Sequence, residues 1–447
     1  MAKRKKTVTK GIYEAKPDSK SIVDVITVKG SKVRVYAMKG NDQVTIAKGN
    51  YNEIYGGAGN DKITVNKGKE HYIYGDSYGN KDKGNDKIYI NTTGKVYVYG
   101  GKGADQIFIS KGKKHNIYGG AGDDKITIKK GTGNDLSVHG DAGKDIIKVQ
   151  GGNNHSISGD AGNDKIYVSY GKSFYLDGGA GNDYIEVKGN NVQSGVITTE
   201  TRNGTLYIGA NVKINGGAGT DNIVVKAKNN YFIQGDAGND TITVTGGSGH
   251  YIYGDNQDYA TGNDEIILTN ISTSHIYGGA GNDTITLNSG ENNIINVGDG
   301  ADTINIKGGK GNAINNDLGS STVNLSGGSG SINSNSYGGN VKLYVDWSKP
   351  TDIGQFGTGG NSSILKNDTL FFKNTTKAAF VKDNFRRTGS TLTIDFDKQA
   401  NGVGEIVISG WSDNESSCAF KGMITFIDKN NKVTGSLTHS EIKTFLG

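Results

Sequence analysis

The sequence predicts an all-β fold, a parallel β-solenoid, and three observations carry that prediction. First, the 447 residues include 71 Gly, only 2 Pro and an apolar fraction of 33%. That is too little apolar material for one thick core, yet the aliphatics are rigidly spaced, which argues against a disordered or low-complexity chain. Second, a Gly-rich run closed by Asp recurs: "GGAGNDKITV" at 56–65 returns as "GGAGDDKITI" at 119–128, "GGAGNDYIEV" at 178–187 and "GGAGNDTITL" at 278–287. Third, β-branched residues stand at fixed offsets from every such Asp, alternating with polar ones.

The closing aspartates set the period. They are Asp42, Asp61, Asp86, Asp105, Asp124, Asp145, Asp164, Asp183, Asp221, Asp240, Asp264, Asp283 and Asp302, and most steps between them are 19 residues. The steps to Asp86 and Asp264 contain short insertions, at 77–83 and 256–261. The 38-residue step from Asp183 to Asp221 reads as two periods, with a degenerate coil ("RNGTLYI", 202–208) between.

The strands follow from the offsets. Two residues after each Asp comes Val44, Ile63 or a later Ile up to Ile304, and four residues after it another Ile, Val or Leu, from Ile46 to Ile306. Such period-two alternation predicts a strand with one buried face. A second aliphatic column, from Ile54 and Ile73 to Ile276 and Ile295, precedes the Gly-rich runs and predicts the second strand of each coil. Two short strands cannot bury their faces alone, but stacked coils can, as two parallel sheets around a narrow core. Weaker coils extend the pattern from Ile26 and Val28 to Val341 and Leu343. About 17 coils at about 4.8 Å each predict a rod roughly 80 Å long.

The Gly-rich run has the form G-G-x-G-x-D. Glycine permits positive φ and close backbone approach, which aims carbonyl oxygens inward. Stacking brings carbonyls and one carboxylate per coil round a common point, a hard-oxygen set that suits Ca²⁺ better than Mg²⁺ with its strict octahedron. A stacked Asp ladder would otherwise repel itself at about 4.8 Å spacing, and a cation removes that cost. The alternative is a metal-free solenoid that uses Gly and Asp only to turn; the fixed place of the Asp in so many coils argues against it.

These runs resemble the hemolysin-type calcium-binding repeat of the RTX family, over about residues 40–306. The resemblance implies a calcium-loaded β-roll with one ion between each pair of adjacent motif-bearing turns. In that family one turn gives the carbonyls of motif positions 1 and 3 and its Asp, and the next gives those of positions 2 and 4 and its own Asp. Carried over, the first turns supply Asp42, then Gly56, Gly57, Ala58, Gly59 and Asp61, then Gly75 and Asp86. Next come Gly100, Gly101, Lys102, Gly103 and Asp105; Gly119, Gly120, Ala121, Gly122 and Asp124; and Gly140, Asp141, Ala142, Gly143 and Asp145. Gly159, Asp160, Ala161, Gly162 and Asp164 follow, with Gly178, Gly179, Ala180, Gly181 and Asp183. Then come Gly216, Gly217, Ala218, Gly219 and Asp221, and Gly235, Asp236, Ala237, Gly238 and Asp240. The last turns offer Gly254 and Asp264; Gly278, Gly279, Ala280, Gly281 and Asp283; and Gly298, Gly300 and Asp302. On this carry-over Gly56, Ala58 and Asp61 share an ion with the turn ending at Asp86, and Gly100, Lys102 and Asp105 share one with Gly120, Gly122 and Asp124.

Two features depart from the family. Its common coil has about 18 residues and calcium turns on both edges, whereas here the other edge reads "NKGKEH", "SKGKKH" or "VTGGSGH". Its members are usually acidic, whereas this chain is formally +5, with 45 Lys against 5 Arg. Lysines at solvent positions block edge-to-edge aggregation, or they attract an anionic surface such as lipopolysaccharide or acidic polysaccharide.

Signals for other chemistry are weak. "GDSYG" at 75–79 matches G-x-S-x-G but lies in a widened repeat turn, not a strand-to-helix elbow, so Ser77 is not read as a nucleophile. No H-E-x-x-H occurs, and His71, His115, His155 and His250 share one repeat position without being in adjacent coils, so they read as corner residues. Tyr55, Tyr74, Tyr99 and Tyr118 share an outward position and read as cross-strand stabilisers or a sugar-binding platform. A single cysteine, Cys418, excludes an internal disulfide framework, and no apolar run is long enough to span a membrane. The N-terminal "MAKRKKTVTKG" lacks an apolar stretch behind it, so it reads neither as a secretory leader nor as a nucleic-acid site. The 19-residue period with calcium on one edge is also similar to bacterial ice-binding adhesin modules, but those carry Thr where this chain has Ala58, Ala121, Ala161, Ala180 and Ala280.

The expected layout is a basic segment at 1–21, the β-roll at 22–349, and a β-rich cap with a C-terminal export signal at 350–447, ending "SLTHSEIKTFLG". The resemblance implies export by a type I secretion apparatus and folding on calcium outside the cell. The expected function is a secreted, non-enzymatic, structural or adhesive protein of the bacterial surface, such as a surface-layer or matrix component that self-assembles. The alternatives are an ice- or glycan-binding module and the scaffold of a secreted enzyme or toxin. The insertions read as contact loops or as tolerated decoration.

Overall fold

The computed structural model describes residues 2–15, 22–77, 82–188, 192–193, 198–202, 205–209, 212–226, 228–256, 261–316, 320–334, 341–346, 353–358, 369–373, 384–388, 391–395, 405–409 and 424–446. The chain forms two compact units, Met1–Phe232 and Ile233–Gly447, and each is built as a parallel β-solenoid.

In the first unit the strands that follow the aspartates pair in parallel and in order, from Gln43–Ile46 through Lys62–Val65, Lys87–Ile90 and Gln106–Ile109 to Tyr184–Lys188. Their alternation places Ile63 and Val65, Ile88 and Ile90, and Ile107 and Ile109 in the core at 0% exposure. The strands that precede the runs stack as a second sheet, among them His71–Tyr74, Val96–Lys102, Asn116–Ala121, Ser137–Ala142 and Asn153–Ala161. Facing columns such as Ile73, Val98 and Ile117 meet the first column across the core, also at 0% exposure. Each buried aliphatic contributes about 1.5–3 kcal/mol, so the thin core is sustained by repetition along the stack.

Two differences from expectation lie in this unit. Strand Ala2–Val8 already pairs in parallel with Ile22–Val28, and Arg4 forks onto Asp24 (2.7 and 2.6 Å), so the basic N-terminal segment is itself part of the stack. The expected degenerate coil at 202–208 is absent. Tyr184–Lys188 pairs directly with Asn222–Lys226, and Gly171–Ala180 with Val212–Ala218. The intervening chain instead forms an antiparallel hairpin, Thr198–Arg202 against Thr205–Gly209. This stretch has neither a Gly-rich run nor its closing Asp, so it lacks the two features that hold a coil in register.

In the second unit the same stacking runs through Thr241–Thr245, Glu265–Ser272, Thr284–Glu291, Thr303–Ile306, Ser321–Leu325 and Val341–Asp346. Beyond the repeats, Thr369–Lys373 and Ile424–Ile427 extend this sheet in parallel, and Ile353–Thr358 and Glu405–Ser409 extend its counterpart. The pairing then turns antiparallel: Ile424–Ile427 against Val433–Leu437, and Thr391–Asp395 against both Phe385–Thr388 and Glu405–Ser409. Helix α1 (His439–Leu446) closes the described chain, with Ile442 buried. Antiparallel hairpins consume the open ladder that a solenoid end presents. Cys418 lies outside the described residues.

Candidate metal centre

Every motif-bearing coil turns at its Asp, and the structure brings these side chains into one buried ladder at each unit's edge. Asp42 through Asp302 are all at 3% exposure or less. The link between coils is regular: the backbone N–H of each Asp donates to Oδ1 of the Asp one coil later. Asp61 donates to Asp86 (2.7 Å), Asp86 to Asp105 (2.7 Å), Asp105 to Asp124 (2.6 Å), Asp124 to Asp145 (2.7 Å) and Asp145 to Asp164 (2.7 Å). Asp183 bridges the hairpin directly to Asp221 (2.6 Å), and in the second unit Asp240 donates to Asp264 and Asp264 to Asp283 (2.8 and 2.9 Å).

The other carboxylate oxygen has no such role. Oδ2 of Asp61, Asp86, Asp105, Asp124, Asp145, Asp164, Asp183, Asp264 and Asp283 is buried without a hydrogen-bond partner. Burial is the main force on these carboxyls and neighbouring aspartates add to it in most of them, against the lowering effect of the backbone N–H. Asp61 is pushed up to about 9, Asp86, Asp124 and Asp264 to about 8, and Asp105, Asp145, Asp164 and Asp283 to about 7. Asp183 and Asp302 rise to about 6. A buried carboxylate with a stranded oxygen requires a proton or a cation.

The glycine carbonyls line the same gaps. Those of positions 1 and 3 point back to the preceding coil: Gly57 N–H donates to Gly75 O (3.0 Å), Gly84 to Lys102 O (3.0 Å), Gly103 to Ala121 O (2.8 Å) and Gly122 to Ala142 O (2.7 Å). Those of positions 2 and 4 point forward, close against the glycines of the next coil: Gly101 O against Gly120, and Gly103 O against Gly122. This corrects the expected sharing. The gap between the turns of Asp105 and Asp124 is faced by Gly101 and Gly103 from the first and by Gly119 and Ala121 from the second, not by Gly100, Lys102, Gly120 and Gly122. Likewise Gly56 and Ala58 face back toward the turn of Asp42. The cause is the pleat: successive peptides of an extended run point to opposite sides, and the chain direction decides which side is which.

The approach explains the glycines. Gly120 sits at φ 111°, and a Cβ there would collide with Gly101 O. Among the described residues no three His, Cys, Asp or Glu side chains converge. A cation at this corner would therefore take carboxylate oxygens singly and complete its shell with carbonyls. Stranded Oδ2 atoms beside carbonyls that retain a free lone pair are a hard-oxygen set that fits Ca²⁺.

The opposite corner is built differently. His71, His115 and His155, at 1% exposure or less, accept a backbone N–H of the preceding coil on Nδ1: from Asn52 (3.2 Å), Val96 (3.1 Å) and Leu136 (3.2 Å). Nε2 then carries the hydrogen and donates to Lys67 O, Lys111 O and Gly151 O (3.1, 2.9 and 3.1 Å). Asn52, Ser274, Asn293 and Asn312 do the same job in other coils. Burial holds His155 and His250 at about 4.

The outer surface offers less. Tyr36, Tyr55, Tyr74, Tyr99 and Tyr118 stack with ring centroids 4.6–5.1 Å apart and planes within 9°, and His139 ends the row. Their faces cover one another, so the row presents edges, not faces, to a sugar. The outward column between the two aliphatics runs Thr64, Tyr89, Phe108, Thr127, Lys148, Tyr167, Glu186, which breaks any Thr ladder. Ser77 stands half-buried at the mouth of an insertion, whose residues 78–81 lie outside the described residues, as do 257–260 of the second. Two buried carboxylates that sequence reasoning missed, Asp76 and Asp255, open those insertions. Their signal was a Gly-Asp pair standing before each insertion.

The RTX calcium-binding nonapeptide repeat (4 copies) matches residues 46–69, 116–127, 139–171, 175–191, 215–250 and 259–294. No curated protein matches the chain. No helix among the described residues is long and apolar enough to cross a membrane. With its buried Asp ladder and carbonyl-lined gaps, the chain carries RTX calcium-binding nonapeptide repeats stacked as a parallel β-solenoid.

Proposed function

We propose that the chain is a secreted, calcium-loaded, non-catalytic solenoid with a structural or adhesive role at the bacterial cell surface, as a surface-layer or matrix component. The observation that carries this reading is the row of stranded Asp oxygens: ionised, they oppose the fold, and calcium-bound, they hold neighbouring coils together. Where calcium is scarce the chain stays unfolded and passes a type I secretion apparatus. Outside, millimolar calcium binds only the folded form and shifts the equilibrium toward it. Ions lie between adjacent motif-bearing turns. The lysine-rich surface of a chain at +5 supports attachment to anionic polysaccharide or lipopolysaccharide, and repeated identical edges support self-assembly into a lattice.

The test is a calcium titration of the chelated protein followed by far-UV circular dichroism at pH 7.5, with magnesium as control. A cooperative coil-to-β transition at roughly 0.1–1 mM Ca²⁺ and none with Mg²⁺ is expected. A full β spectrum in chelator at that pH removes both the calcium-folding and the export arguments.

A further inference from the structure

Two coils break the regular turn in the same way, and both breaks begin with an aspartate at the second motif position: Tyr74-Gly75-Asp76 and Tyr253-Gly254-Asp255. Where Asp occupies that position in an unbroken turn it lies in left-handed backbone with a half-buried side chain, as at Asp141, Asp160 and Asp236 (φ 72°, 72° and 78°). Asp76 and Asp255 lie outside that region and are 1% and 3% exposed.

The difference has a local cause. In an unbroken coil the third-position N–H donates to the second-position carbonyl of the coil before, as Ala58 does to Met38 O (2.7 Å). In the interrupted coils a carboxylate takes that acceptor place: Lys102 N–H donates to Asp76 Oδ2 (2.6 Å), and Ala280 N–H to Asp255 Oδ2 (2.9 Å). A neutral acceptor facing the next coil has been exchanged for a charged one with an oxygen to spare. That oxygen, Oδ1 of Asp76 and of Asp255, is buried without a partner. Oδ2 of the ladder aspartate in the same coil, Asp86 or Asp264, is stranded too, and the two carboxylates lie close enough to repel each other. None of the four takes part in an ion pair among the described residues.

We propose that the gap between each interrupted coil and the coil after it is a high-affinity Ca²⁺ site, held by Asp76 with Asp86 in one and by Asp255 with Asp264 in the other. Among its buried oxygens an unbroken gap has ladder carboxylates and carbonyls alone, its second-position Asp, where present, being only half-buried. Here a further carboxylate stands where a carbonyl would, and calcium affinity rises with the number of charged ligands. These two gaps fill before the rest and seed the stacking of the coils beside them. The inference rests on the calcium reading of the ordinary turns for its choice of ion.

The test is calorimetric titration of the full chain with Ca²⁺ alone, beside the variant D76N/D255N. Asn keeps an oxygen for Lys102 and Ala280 N–H while removing the charge. The wild type is expected to bind two ions at least 10-fold more tightly than the others, and the double variant to lose that tight class. D141N/D160N, altered at the same motif position in unbroken turns remote from both gaps and keeping their backbone carbonyls, is expected to keep it. D76N and D255N singly, each losing one tight ion, cover the case in which the double variant fails to fold. A tight class that survives in the loaded double variant, or a wild type with one uniform class, overturns the proposal alone. A wild type that takes up no calcium overturns it together with the calcium reading.

Discussion

The two corners of each coil solve the same problem with different chemistry. At both, a backbone N–H must find an acceptor on the next coil. The neutral corner supplies His or Asn, whose second polar atom donates to a carbonyl: His115 Nε2 to Lys111 O (2.9 Å), Asn52 Nδ2 to Gly30 O (2.9 Å), Asn293 Nδ2 to Ile271 O (3.1 Å). Donor and acceptor are both used, and the corner is complete as folded. The acidic corner supplies Asp, which has acceptors only, so one oxygen meets the N–H and the other is stranded. The first corner is complete as structure, whereas the second requires a proton or a cation.

The largest expected effect tests that requirement on the whole fold. The ladder carboxyls have folded pKa values raised from 3.8 to between about 6 and about 9. Their contribution is therefore fully present below about pH 4 and lost as pH rises through that window. In chelator the protein should show a cooperative melt at pH 5 and none at pH 8, and calcium at pH 8 should restore the melt. The histidines act with the opposite sign: values depressed to about 4 mean a contribution present above about 6.5 and lost as pH falls through 4. A melting temperature in chelator that is flat from pH 5 to 8 would mean that the acidic corner needs neither proton nor cation.

Next comes Asp124→Asn, which keeps an oxygen for Asp105 N–H and removes the charge. In saturating calcium at pH 8 the variant should be less stable than the wild type by roughly 1–3 kcal/mol in denaturant melts, and in chelator at pH 5, where the ladder is protonated, it should stay within about 0.5 kcal/mol of it. An equal loss in both conditions would mean that no cation sits there.

His155→Ala leaves Leu136 N–H buried without its acceptor, and should lose about 1–3 kcal/mol with or without calcium. His155→Asn should lose less, because Asn fills the equivalent place at Asn52 and Asn293. A calcium-dependent loss would show that the neutral corner is not independent of the acidic one. The smallest effect belongs to neither corner: Tyr89→Thr, on the outward column beside Thr64, removes the stacking on Phe108 and should cost about 0.5–1 kcal/mol by the same melts.

Much of this was legible in the residues. Ile63, Val65 and their counterparts announce a one-faced strand because a buried position excludes polar side chains in every coil. The Asp column marked the acidic corner because in every coil the same backbone N–H needs an acceptor there. The ligand direction was not legible, since G-G-x-G-x-D reads identically whether its odd carbonyls face back or forward. Nor was Asp76, whose letters match those of Asp160 although one is buried and the other half-exposed. By spacing alone the stretch that forms the hairpin at 198–209 reads as a coil, because 38 residues is a multiple of the period.

The repeat length, the two aliphatic columns and the acidic corner are properties of single coils, encoded by local alternation and recurring under one set of steric demands. Which neighbour each carbonyl faces, which Asp is buried and which stretch leaves the stack depend on the coil above and the coil below. Those relations exist only once the coils are stacked, because hydrogen bonds between coils, not within them, decide where each oxygen points.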